Sequence, residues 1–538
     1  MPEATIVGSG IAGMSAATRL MEQGFDITLY EQNDFLGGKL GAHYDRNKPD
    51  PHEHCYHMYL NWYNNFWQFM TEIGAADKFM ACPIIGCRFP GDKETRPYLI
   101  NSGSPATVLT NMLNGIAPPA DQFLSAYSLL DLVGTPSTPG DALEQNSVSN
   151  FFRSRSYSSN GSIAASSRTL AEAFASPSYL SSARSYQSLI KYGFRHPTPS
   201  LWLLTQNTND AIFEPWLQRL EARARDLGRR FELHRLTRVE KLHLADGEVR
   251  KLTLGKMPHD VTTERGGLAP RPSHTWEAAV PGDLLLAVPP RALGRLVSPE
   301  VAGCAPNLED VRLLRSEPMI SLDVYFKRKL AGLTKSITLL LESDYTLSLL
   351  DISQVWSDPP KGGTALNIIA SNADLIVDYP NHVILDLMLK ELRRFLDFKL
   401  GPLAVDQSQR DDDVDYGRSH VQNNVGEELF VNQVGSWEFR PKATCGIPNL
   451  FLAGDFCQTF VDVVTVEGAV VSGLIAAEAL RRRRGIGDPI EIIQPDAYPA
   501  FLPATLAAAL RPVAYAAKAV SVADGMVRAQ FSRIFPNG

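Results

Sequence analysis

The residues from Thr5 to Gln32, "TIVGSGIAGMSAATRLMEQGFDITLYEQ", carry the most specific local pattern in this chain. They predict a strand over Thr5–Val7, a helix through Gln23 and a second strand over Ile27–Tyr30. The turn between the first strand and the helix has the Gly-x-Gly-x-x-Gly spacing of a dinucleotide-binding unit. The first glycine allows the tight turn, the second lets the backbone approach a pyrophosphate, and the third lets the helix pack on the strand.

This unit predicts where a dinucleotide would bind. A pyrophosphate would lie on the N–H groups and the positive dipole end of the first helix. A carboxylate about 20 residues further on, at the end of the second strand, would accept the ribose hydroxyls. The candidate binding residues are Gly8, Gly10, Ile11, Ala12, Gly13, Glu31 and Gln32.

The composition is that of a globular protein. The chain has 538 residues, of which 44% are hydrophobic and 21% are charged, enough for two or three domains. The net charge is −7 and no strongly basic stretch runs alongside aromatic residues, so we expect no nucleic-acid partner. Six cysteines without a C-x-x-C pair predict no disulfide framework and a reducing, cytoplasmic compartment.

The chain shows no sign of targeting or of a membrane span. Because no run of 18 apolar residues occurs, we predict no spanning helix. A strand is predicted to begin almost at once, at Ala4, so we expect no cleaved signal or transit peptide in this chain.

A second motif lies near the other end of the chain, in "IPNLFLAGDFCQTFVDVVTVEGAVVSGLIAAEAL". A strand over Leu450–Ala453 leads into Gly454 and Asp455, and a helix is predicted from Val466 to Leu480. A carboxylate accepts hydrogen bonds from hydroxyl groups, and a helix N-terminus stabilises negative charge.

The glycine turn in "EQNDFLGGKLGAHY" resembles the GG motif of FAD enzymes in the amine oxidase and phytoene desaturase superfamily, and so does the second motif. The resemblance implies non-covalently bound FAD, with Asp455 at its ribityl–phosphate part and the second helix N-terminus at the flavin ring. A predicted helix and β-meander, with a turn at residues 245–247, place Val239 where the family contacts the adenine. The implied contacts are Gly38, Lys39, Leu40, Val239, Gly454, Asp455, Glu467, Gly468 and Ala469.

The expected fold class is α/β, with a discontinuous Rossmann-type FAD-binding domain, an α+β substrate-binding domain and a helical lid. The FAD-binding domain would comprise residues 1–80, 205–300 and 430–485, and the substrate-binding and lid region residues 81–204 and 301–429. Residues 147–188 are rich in serine, which suits either a linker or short helices, and we favour helices that form a lid. Strand-like runs between residues 301 and 400, with one amphipathic helix, would form the floor of a substrate cavity.

The last segment, residues 486–538, is expected to be helical. It is apolar but interrupted by Pro503, Arg511 and Pro512, and it follows four arginines, residues 481–484. Two interpretations remain open. The segment could lie on a membrane surface, with basic residues near anionic head groups, or it could pack on the protein.

The stretch "PHEHCYHMYLNWYNNFW", residues 51–67, concentrates histidines and aromatic rings. From Tyr59 to Met70 the apolar residues have helical spacing, which predicts one buried helical face. His52, His54 and His57 are spaced so that they do not gather on one helix face, and we expect no metal site.

The same stretch resembles the E-x-G-L-H-x-F-x-G-x-Y-x-N segment of plant-type phytoene and ζ-carotene desaturases. It departs from that pattern at Cys55 and Asn61, where the family has glycine, and Tyr59 replaces the phenylalanine. The matching residues are Glu53, His57, Tyr63 and Asn65. In the family this segment passes beside the flavin ring, which implies a pocket wall of Cys55, Tyr56 and Tyr59. His57 would be either a catalytic group, since an unperturbed histidine titrates near pH 6.5, or a hydrogen-bonded wall residue.

The expected function is that of an FAD-dependent oxidoreductase. It would desaturate an apolar, isoprenoid- or carotenoid-like substrate by hydride transfer to flavin N5, with a quinone or O2 as electron acceptor. The alternatives are a flavin amine oxidase, a flavin-dependent isomerase or dehydroxylase, and a flavin-binding protein without turnover. The two lost glycines indicate a reshaped pocket, so the substrate class stays open. The expected location is cytoplasmic, with peripheral membrane contact through the last segment.

Overall fold

The computed structural model describes residues 1–44, 50–100, 105–196, 199–258, 271–403, 405–424 and 429–534. Its strands, numbered in chain order, are β1 (Glu3–Val7), β2 (Asp26–Tyr30), β3 (Ala42–Tyr44), β4 (Pro51–Glu53), β5 (Tyr59–Leu60), β6 (Phe79–Ala81), β7 (Ile84–Arg88), β8 (Arg96–Leu99), β9 (Leu201–Leu204), β10 (Phe231–His234), β11 (Thr237–Ala245), β12 (Glu248–Lys256), β13 (Thr275–Ala279), β14 (Asp283–Leu286), β15 (Ser316–Glu317), β16 (Ile320–Tyr325), β17 (Thr338–Leu340), β18 (Leu347–Asp351), β19 (Ala365–Ala370), β20 (His420–Asn423), β21 (Leu429–Phe430) and β22 (Leu450–Leu452).

The α-helices, numbered in the same way, are α1 (Ile11–Glu22), α2 (Asn64–Glu72), α3 (Pro105–Met112), α4 (Pro119–Gly134), α5 (Val148–Arg153), α6 (Asn160–Phe174), α7 (Ala183–Arg195), α8 (Glu214–Asp226), α9 (Pro290–Leu296), α10 (Pro299–Cys304), α11 (Ile352–Val355), α12 (Asn381–Leu392), α13 (Val466–Arg484) and α14 (Phe501–Ile534).

A five-stranded parallel sheet carries the N-terminal unit. Its strand order is β10-β2-β1-β14-β22, so it joins strands that lie hundreds of residues apart in the chain. The strands are short and largely apolar, as buried parallel strands are. The predicted strand–helix–strand unit and the predicted strand after Ile447 are confirmed, with ends shifted by one or two residues. The predicted α/β fold class is confirmed by this sheet and by the structures compared below.

Helices α1 and α13 cover this sheet and pack closely on each other. A Cβ atom added at Gly473 would lie 2.2 Å from the carbonyl oxygen of Ala12, so only glycine allows this approach. Helix α13 begins at Val466 as predicted and continues to Arg484, four residues beyond the prediction. The two dinucleotide motifs of the sequence therefore meet at one edge of the sheet.

The middle of the chain forms two further sheets. The predicted β-meander is the three-stranded sheet β11-β12-β13, with its first turn at Asp246 and Gly247. A seven-stranded mixed sheet has the order β20-β16-β19-β18-β17-β7-β8 and includes both strand-like runs predicted between residues 301 and 400. One face of it packs on α12, which ends at Leu392, earlier than the predicted amphipathic helix.

The serine-rich segment is helical, because several of its serines cap helix N-termini. Ser147 caps α5, Ser159 caps α6 with a reciprocal capping box, and Ser182 caps α7. A serine side chain satisfies N–H groups that have no partner within the helix. The prediction of short helices is confirmed, and their role as a lid stays a prediction.

The prediction that a helix begins at Tyr59 is wrong. Tyr59 and Leu60 form β5 and pair with Leu201 and Trp202 of β9, and the helix begins only at Asn64. Pairing with a distant strand overrides the helical spacing at this point. The predicted burial holds, since Tyr59, Trp62, Tyr63, Phe66 and Met70 are all buried.

Residues 486–500 of the last segment are not helical, contrary to the prediction, and the rest forms one long helix, α14, that lies along α4. Pro503 falls in its first turn, where no N–H group is needed, and Pro512 lies inside the helix without ending it. Between Phe501 and Val527 the helix is long and apolar enough, by length and composition, to cross a membrane. The sequence analysis predicted no helix able to span a membrane, and by length and composition this prediction is wrong for α14. Residues 535–538 of the predicted segment lie outside the described residues.

Candidate functional site

The glycine turn after β1 has the close contacts that a dinucleotide site requires. A Cβ atom at Gly8 would lie 2.3 Å from the carbonyl oxygen of Ala287, and one at Gly13 would lie 1.9 Å from that of Gly8. At Gly10 a Cβ atom would meet only the carbonyl oxygen of Gly37, at 3.8 Å. Two glycines are thus needed for packing, while the third leaves open space in front of the N-terminus of α1, where Ile11 and Ala12 begin the helix.

Glu31 lies at the end of β2 and faces this turn. Its carboxylate accepts hydrogen bonds from the N–H of Ser9 (2.8 Å), the hydroxyl of Ser9 (2.7 Å) and the N–H of Asn33 (2.9 Å). Burial raises the pKa of Glu31, and these hydrogen bonds act against that rise. Gln32 follows Glu31 and is partly exposed.

The adenine-side residue Val239 is brought close to Glu31 through the start of β11. The N–H of Thr237 donates to the carbonyl of Glu31 (2.7 Å), two residues before Val239. The pairing of β11 with β12 shifts register between Val239 and Lys241. Such a bulge breaks the strand pairing locally and redirects the backbone.

The GG turn lies against the first glycine turn. The N–H of Gly37 donates to the carbonyl of Ser9 (3.0 Å), and a Cβ atom at Gly37 would overlap the ring of Phe213. Gly38 and Lys39 follow directly beside Gly10, and Leu40 is buried in the core. The structure therefore brings together the first motif and the GG turn, as the sequence predicts.

The C-terminal motif completes the group. Gly454 follows β22 with φ of +148°, and its N–H donates to the hydroxyl of Ser472 on α13 (2.8 Å). Asp455 is the next residue and is partly exposed. Gly468 and Ala469 lie in the first turn of α13, where Thr465 caps the N–H of Gly468 (3.0 Å).

Glu467 is the predicted contact whose side chain the structure places elsewhere. Its carboxylate is fully buried and turns away from the α13 N-terminus toward α2, where it accepts from the N–H groups of Asn65 (3.0 Å) and Phe66 (2.9 Å). Burial raises the pKa of Glu467 to about 7. Any contact of Glu467 with the cofactor would therefore use its backbone, because the side chain caps α2.

A buried ion cluster, which the sequence did not predict, lies under the loop between Asp455 and α13. Asp462 is fully buried and accepts hydrogen bonds from the guanidinium groups of Arg184 and Arg440. Arg440 also donates to the carbonyl groups of Phe456 (2.9 Å) and Cys457 (2.8 Å), so it fixes the loop that carries Asp455. The only sequence signal was a single arginine among apolar and aromatic residues, in "GSWEFRP".

A cavity lies between the seven-stranded sheet and the histidine stretch. Tyr56, His57 and Tyr59 form one of its walls, which we call the aromatic wall. The wall continues into α2, whose N-terminus is capped by Glu467 of α13. The rest of the lining comprises the polar residues Glu53, Gln206, Thr208, Asp323 and Asn367 and the apolar residues Pro51, Leu204, Leu350, Ile352 and Trp356.

Most polar groups at the cavity floor fasten the histidine stretch to the sheet. Asn367 donates to Asp323 (2.7 Å) and accepts from the N–H of Tyr56 (3.0 Å), while His52 lies 3.1 Å from Asp323. These residues come from strands whose patterns are apolar, and an isolated acid in "MISLDVYF" was the only sequence signal for Asp323.

Glu53 is a cavity carboxyl group whose acidity is strongly perturbed. It accepts from the N–H of Thr208 (2.7 Å), and burial, with a smaller contribution from nearby Asp323, raises the pKa of Glu53 to about 8. Among the described residues, the hydroxyl group of Tyr59 is buried without a hydrogen-bond partner. A ligand in this cavity would find this hydroxyl group and an acid that holds its proton at neutral pH.

His57 faces the cavity, as predicted, but its acidity differs from the expected one. Burial lowers the pKa of His57 to about 4, so the imidazole is neutral at physiological pH. Its Nδ1 has no hydrogen-bond partner among the described residues. Cys55 was predicted to line the pocket, but it packs in an apolar cluster with Cys82 and Cys87, and it is not among the described lining residues.

The three histidines of the stretch do not converge on one point. His52 pairs with Asp323 and stacks on His420, with 4.2 Å between ring centroids, whereas His57 lines the cavity. Within the described ranges, no group of three or more His, Cys, Asp or Glu side chains could hold a metal ion. This geometry gives no support to a metal interpretation of the stretch.

The family model for flavin-containing amine oxidoreductases matches residues 11–481, which is most of the chain. The chain belongs to the flavin-containing amine oxidoreductase family. The resemblance seen in its terminal motifs is thereby confirmed, and the protein is a flavin oxidoreductase.

Curated relatives of this chain include desaturases named as ζ-carotene desaturase and 15-cis-phytoene desaturase. A ζ-carotene desaturase of Arabidopsis thaliana is 39% identical over 70 residues, which cover 13% of this chain and 12% of the relative. The chain therefore matches only about an eighth of the length of that relative. A 15-cis-phytoene desaturase of an Oncidium hybrid cultivar is 23% identical over 495 residues, 89% of this chain and 77% of the relative.

Solved structures with the same fold include amine oxidases. An oxidoreductase from Methanosarcina mazei gives a TM-score of 0.60 at 13% identity, covering 88% of this chain and 99% of the other. Cyclohexylamine oxidase from Brevibacterium oxydans gives 0.56 at 15% identity, with 90% and 99% covered. At these identities the likeness shows that the amine oxidoreductase fold is shared.

The residues of the site fit a flavin dinucleotide. The space before Gly10, the carboxylate of Glu31 and the N-termini of α1 and α13 come from both ends of the chain. Anionic phosphates suit a helix N-terminus that no acidic side chain occupies, and the first turn of α1 has none.

We expect Gly10→Leu to give a folded but colourless protein. The backbone at Gly10 is compatible with any side chain, with φ of −62°, and a Cβ atom meets only one atom within 4 Å. The longer side chain would occupy the space of the pyrophosphate. Flavin absorbance together with the melting temperature measures both effects.

Gly193→Ala is the control for a glycine substitution outside the glycine turn. Gly193 lies on α7, and its added Cβ atom meets no atom within 4 Å. This variant should stay yellow. A stable, yellow Gly10→Leu protein would show that the phosphates bind elsewhere.

We expect the protein to lose stability as the pH rises from 6.5 to 8, in part through Glu53. Folded Glu53 keeps its proton to about pH 8, whereas an unfolded glutamate loses it near 4.5. The unfolded state therefore binds fewer protons between these values, and the free energy of unfolding falls with rising pH. The lowered pKa of His57 has the opposite effect, because an unfolded histidine is still about half protonated at pH 6.5, and this effect fades as the pH rises toward 8.

Melting curves of the wild type and of Glu53→Gln across this window measure the effect, and the variant should show a shallower decline. Glu221→Gln, which changes an exposed carboxylate on α8, is the control and should follow the wild type. Parallel curves for wild type and Glu53→Gln would mean that Glu53 is ionised throughout.

Proposed function

We propose that this protein binds FAD non-covalently and oxidises a C–H bond of a predominantly apolar, isoprenoid-like substrate. The observation that carries the proposal is the position of the desaturase-like stretch. Its residues Tyr56, His57 and Tyr59 form the wall of a cavity, and the same stretch continues into the helix capped from the start of α13. The similarity to phytoene desaturase over 89% of the chain supports the same substrate class.

The protein's own residues would bind the cofactor and position the substrate. The first turns of α1 and α13 favour negative charge placed against them, and Glu31 accepts the ribose hydroxyls. Asp455 would bind the ribityl–phosphate part, on a loop that Arg440 fixes. When bound, the flavin supplies the acceptor for two electrons and a hydride.

The aromatic wall would exclude water from the reacting C–H bond. Tyr59 is fully buried and Tyr56 nearly so, and His57 and Glu53 are both neutral at physiological pH. A neutral, low-dielectric wall suits an apolar substrate, because it binds no tightly held water. A quinone or O2 would take up the electrons, and a quinone or an apolar substrate would favour peripheral contact of a cytoplasmic protein with a membrane.

A second candidate is amine oxidation, and one observation favours it. Glu53 and Asp323 line the same cavity as Tyr56, Tyr59 and Trp356. Two acids among aromatic rings attract a cation, and an ammonium group would ionise Glu53. The fold shared with cyclohexylamine oxidase is compatible with this candidate.

Anaerobic bleaching of the flavin absorbance separates the two candidates. We expect long-chain isoprenoids in detergent micelles to bleach the flavin, and primary and secondary amines to leave it oxidised. Asp323→Asn should then change the rate of flavin reduction only a few-fold, because it removes a charge from a cavity that binds no cation. Bleaching by amines that Asp323→Asn abolishes would replace the desaturase proposal by amine oxidation.

We expect His57→Ala to keep its flavin and to slow flavin reduction by only a few-fold. A histidine with a pKa of about 4 is a weak base at neutral pH, so it serves as part of the wall. Stopped-flow reduction with the substrate found above measures the rate, and His57→Asn is the polar, similarly sized companion. A loss of about 10²-fold in both variants would make His57 a catalytic base.

A further inference from the structure

The outward face of α14 carries an unbroken row of apolar residues, which we call the apolar stripe. Its members follow one another at steps of three and four residues, so they share one helix face. All of them are exposed, and the five large ones have exposed fractions between 47% and 61%. The apolar stripe consists of Leu502, Leu506, Ala509, Val513, Ala516, Val520, Ala523 and Val527.

The polarity of α14 is inverted relative to an ordinary surface helix. Its buried residues Ala507 and Ala514 pack on α4, Lys518 turns toward the protein, and Arg511 is exposed beside Tyr127. Lys518 donates to the carbonyl of Ser156 (2.6 Å), and a hydrogen bond with Tyr127 raises the pKa of Arg511. A helix at a water interface normally turns charges outward and apolar residues inward. The solvent-facing side of α14 therefore suits an apolar environment.

A basic pocket lies at the edge of the same helix. Lys518 of α14, Arg153 and Arg155 line it together with several serines, and its described lining contains no aspartate or glutamate. Arg155 pairs with Asp131 at 2.9 Å, which leaves the charges of Arg153 and Lys518 without a carboxylate partner among the ion pairs of the described residues. The pocket is therefore positively charged.

One side chain of this pocket indicates a ligand. Ser158 is 8% exposed and lines the pocket, yet its hydroxyl has no hydrogen-bond partner among the described residues. A buried polar group without a partner costs free energy, which a ligand oxygen would recover. Two cations and a free hydroxyl together suit a phosphate group.

We propose that α14 lies on the surface of a lipid bilayer, with the apolar stripe in the acyl boundary and the phosphate of an anionic phospholipid in the basic pocket. Lys518 belongs to the basic pocket and not to the apolar stripe, but it lies on the same helix, at the level of Ala516 and Val520. Basic residues beside an apolar face attract anionic head groups, each contributing about a fivefold increase in affinity. The proposal concerns a surface distinct from the cofactor site.

A bilayer fits this face better than a second copy of the chain. Helices that pair in water flank their apolar seam with charged residues of complementary sign. The residues that flank the apolar stripe near its centre are Leu510, Pro512, Ala517 and Ala519, none of which is charged. Asp524 lies beside the C-terminal part of the apolar stripe, and the cations of the basic pocket are the charges that complement anionic lipid.

Vesicle flotation of the full flavin-loaded chain tests the proposal. The vesicles are phosphatidylcholine alone, or phosphatidylcholine mixed with phosphatidylglycerol. We expect flotation with the mixed vesicles, a loss of at least about tenfold for Val513→Glu with Val520→Glu, and a loss of the preference for phosphatidylglycerol in Arg153→Gln with Lys518→Gln. Flavin absorbance reports that each variant is folded.

Two controls separate the surface from general effects. Leu313→Glu with Leu375→Glu changes exposed apolar residues elsewhere, and Lys251→Gln removes an exposed charge. Both should float like the wild type. Inorganic phosphate should release no more protein than chloride of equal ionic strength, since the apolar stripe holds the lipid-bound state.

Three outcomes would overturn the proposal. One is equal flotation of the apolar-stripe variant and the wild type. A second is a chain that does not float but forms a dimer, which the apolar-stripe variant dissolves, so that the face joins two copies. A third is unchanged preference for phosphatidylglycerol in the pocket variant, which would remove the phosphate site.

Discussion

The fully buried carboxylate of Glu467 determines how the two halves of the site meet. It stands in the first turn of α13, yet it caps α2 by accepting from the N–H groups of Asn65 and Phe66. The side chain of Asn65 in turn bonds the backbone of Ile493. Loss of the carboxylate would leave buried N–H groups without partners, at about 1–3 kcal/mol each. Because of this contact, the aromatic wall has one position relative to the α13 N-terminus, where the resemblance places the flavin ring.

Burial keeps two titratable groups of the cavity, Glu53 and His57, neutral. The raised pKa of Glu53 and the lowered pKa of His57 have the same cause, which is the cost of charge away from water. Asp323 is a second acid in the same lining. Whether the cavity suits desaturation or amine oxidation therefore depends on how Glu53 and Asp323 meet the substrate. Asp462 is also buried, but there two arginines, Arg184 and Arg440, compensate the charge of the carboxylate.

Local patterns in the sequence were enough to predict the cofactor half of the fold. The structure shows why Gly8 and Gly13 exclude a side chain, and it leaves the space at Gly10 open for a ligand. The cavity was harder to predict, because Asp323 and Asn367 come from distant strands with apolar patterns. The helical spacing from Tyr59 was misleading, since pairing with β9 took over its first residues. The direction of the Glu467 side chain was also beyond local signals, because its partners lie about 400 residues earlier.

The aromatic wall and both helix N-termini are proposed to surround one flavin dinucleotide. A crystal structure of the protein with its bound cofactor tests this arrangement. We expect one FAD per chain, with its pyrophosphate at the N–H groups after Gly10, its ribose on Glu31 and its ring in contact with Tyr56 or His57. A ring bound on the far side of α13, or a flavin linked covalently to a side chain, would rule the arrangement out.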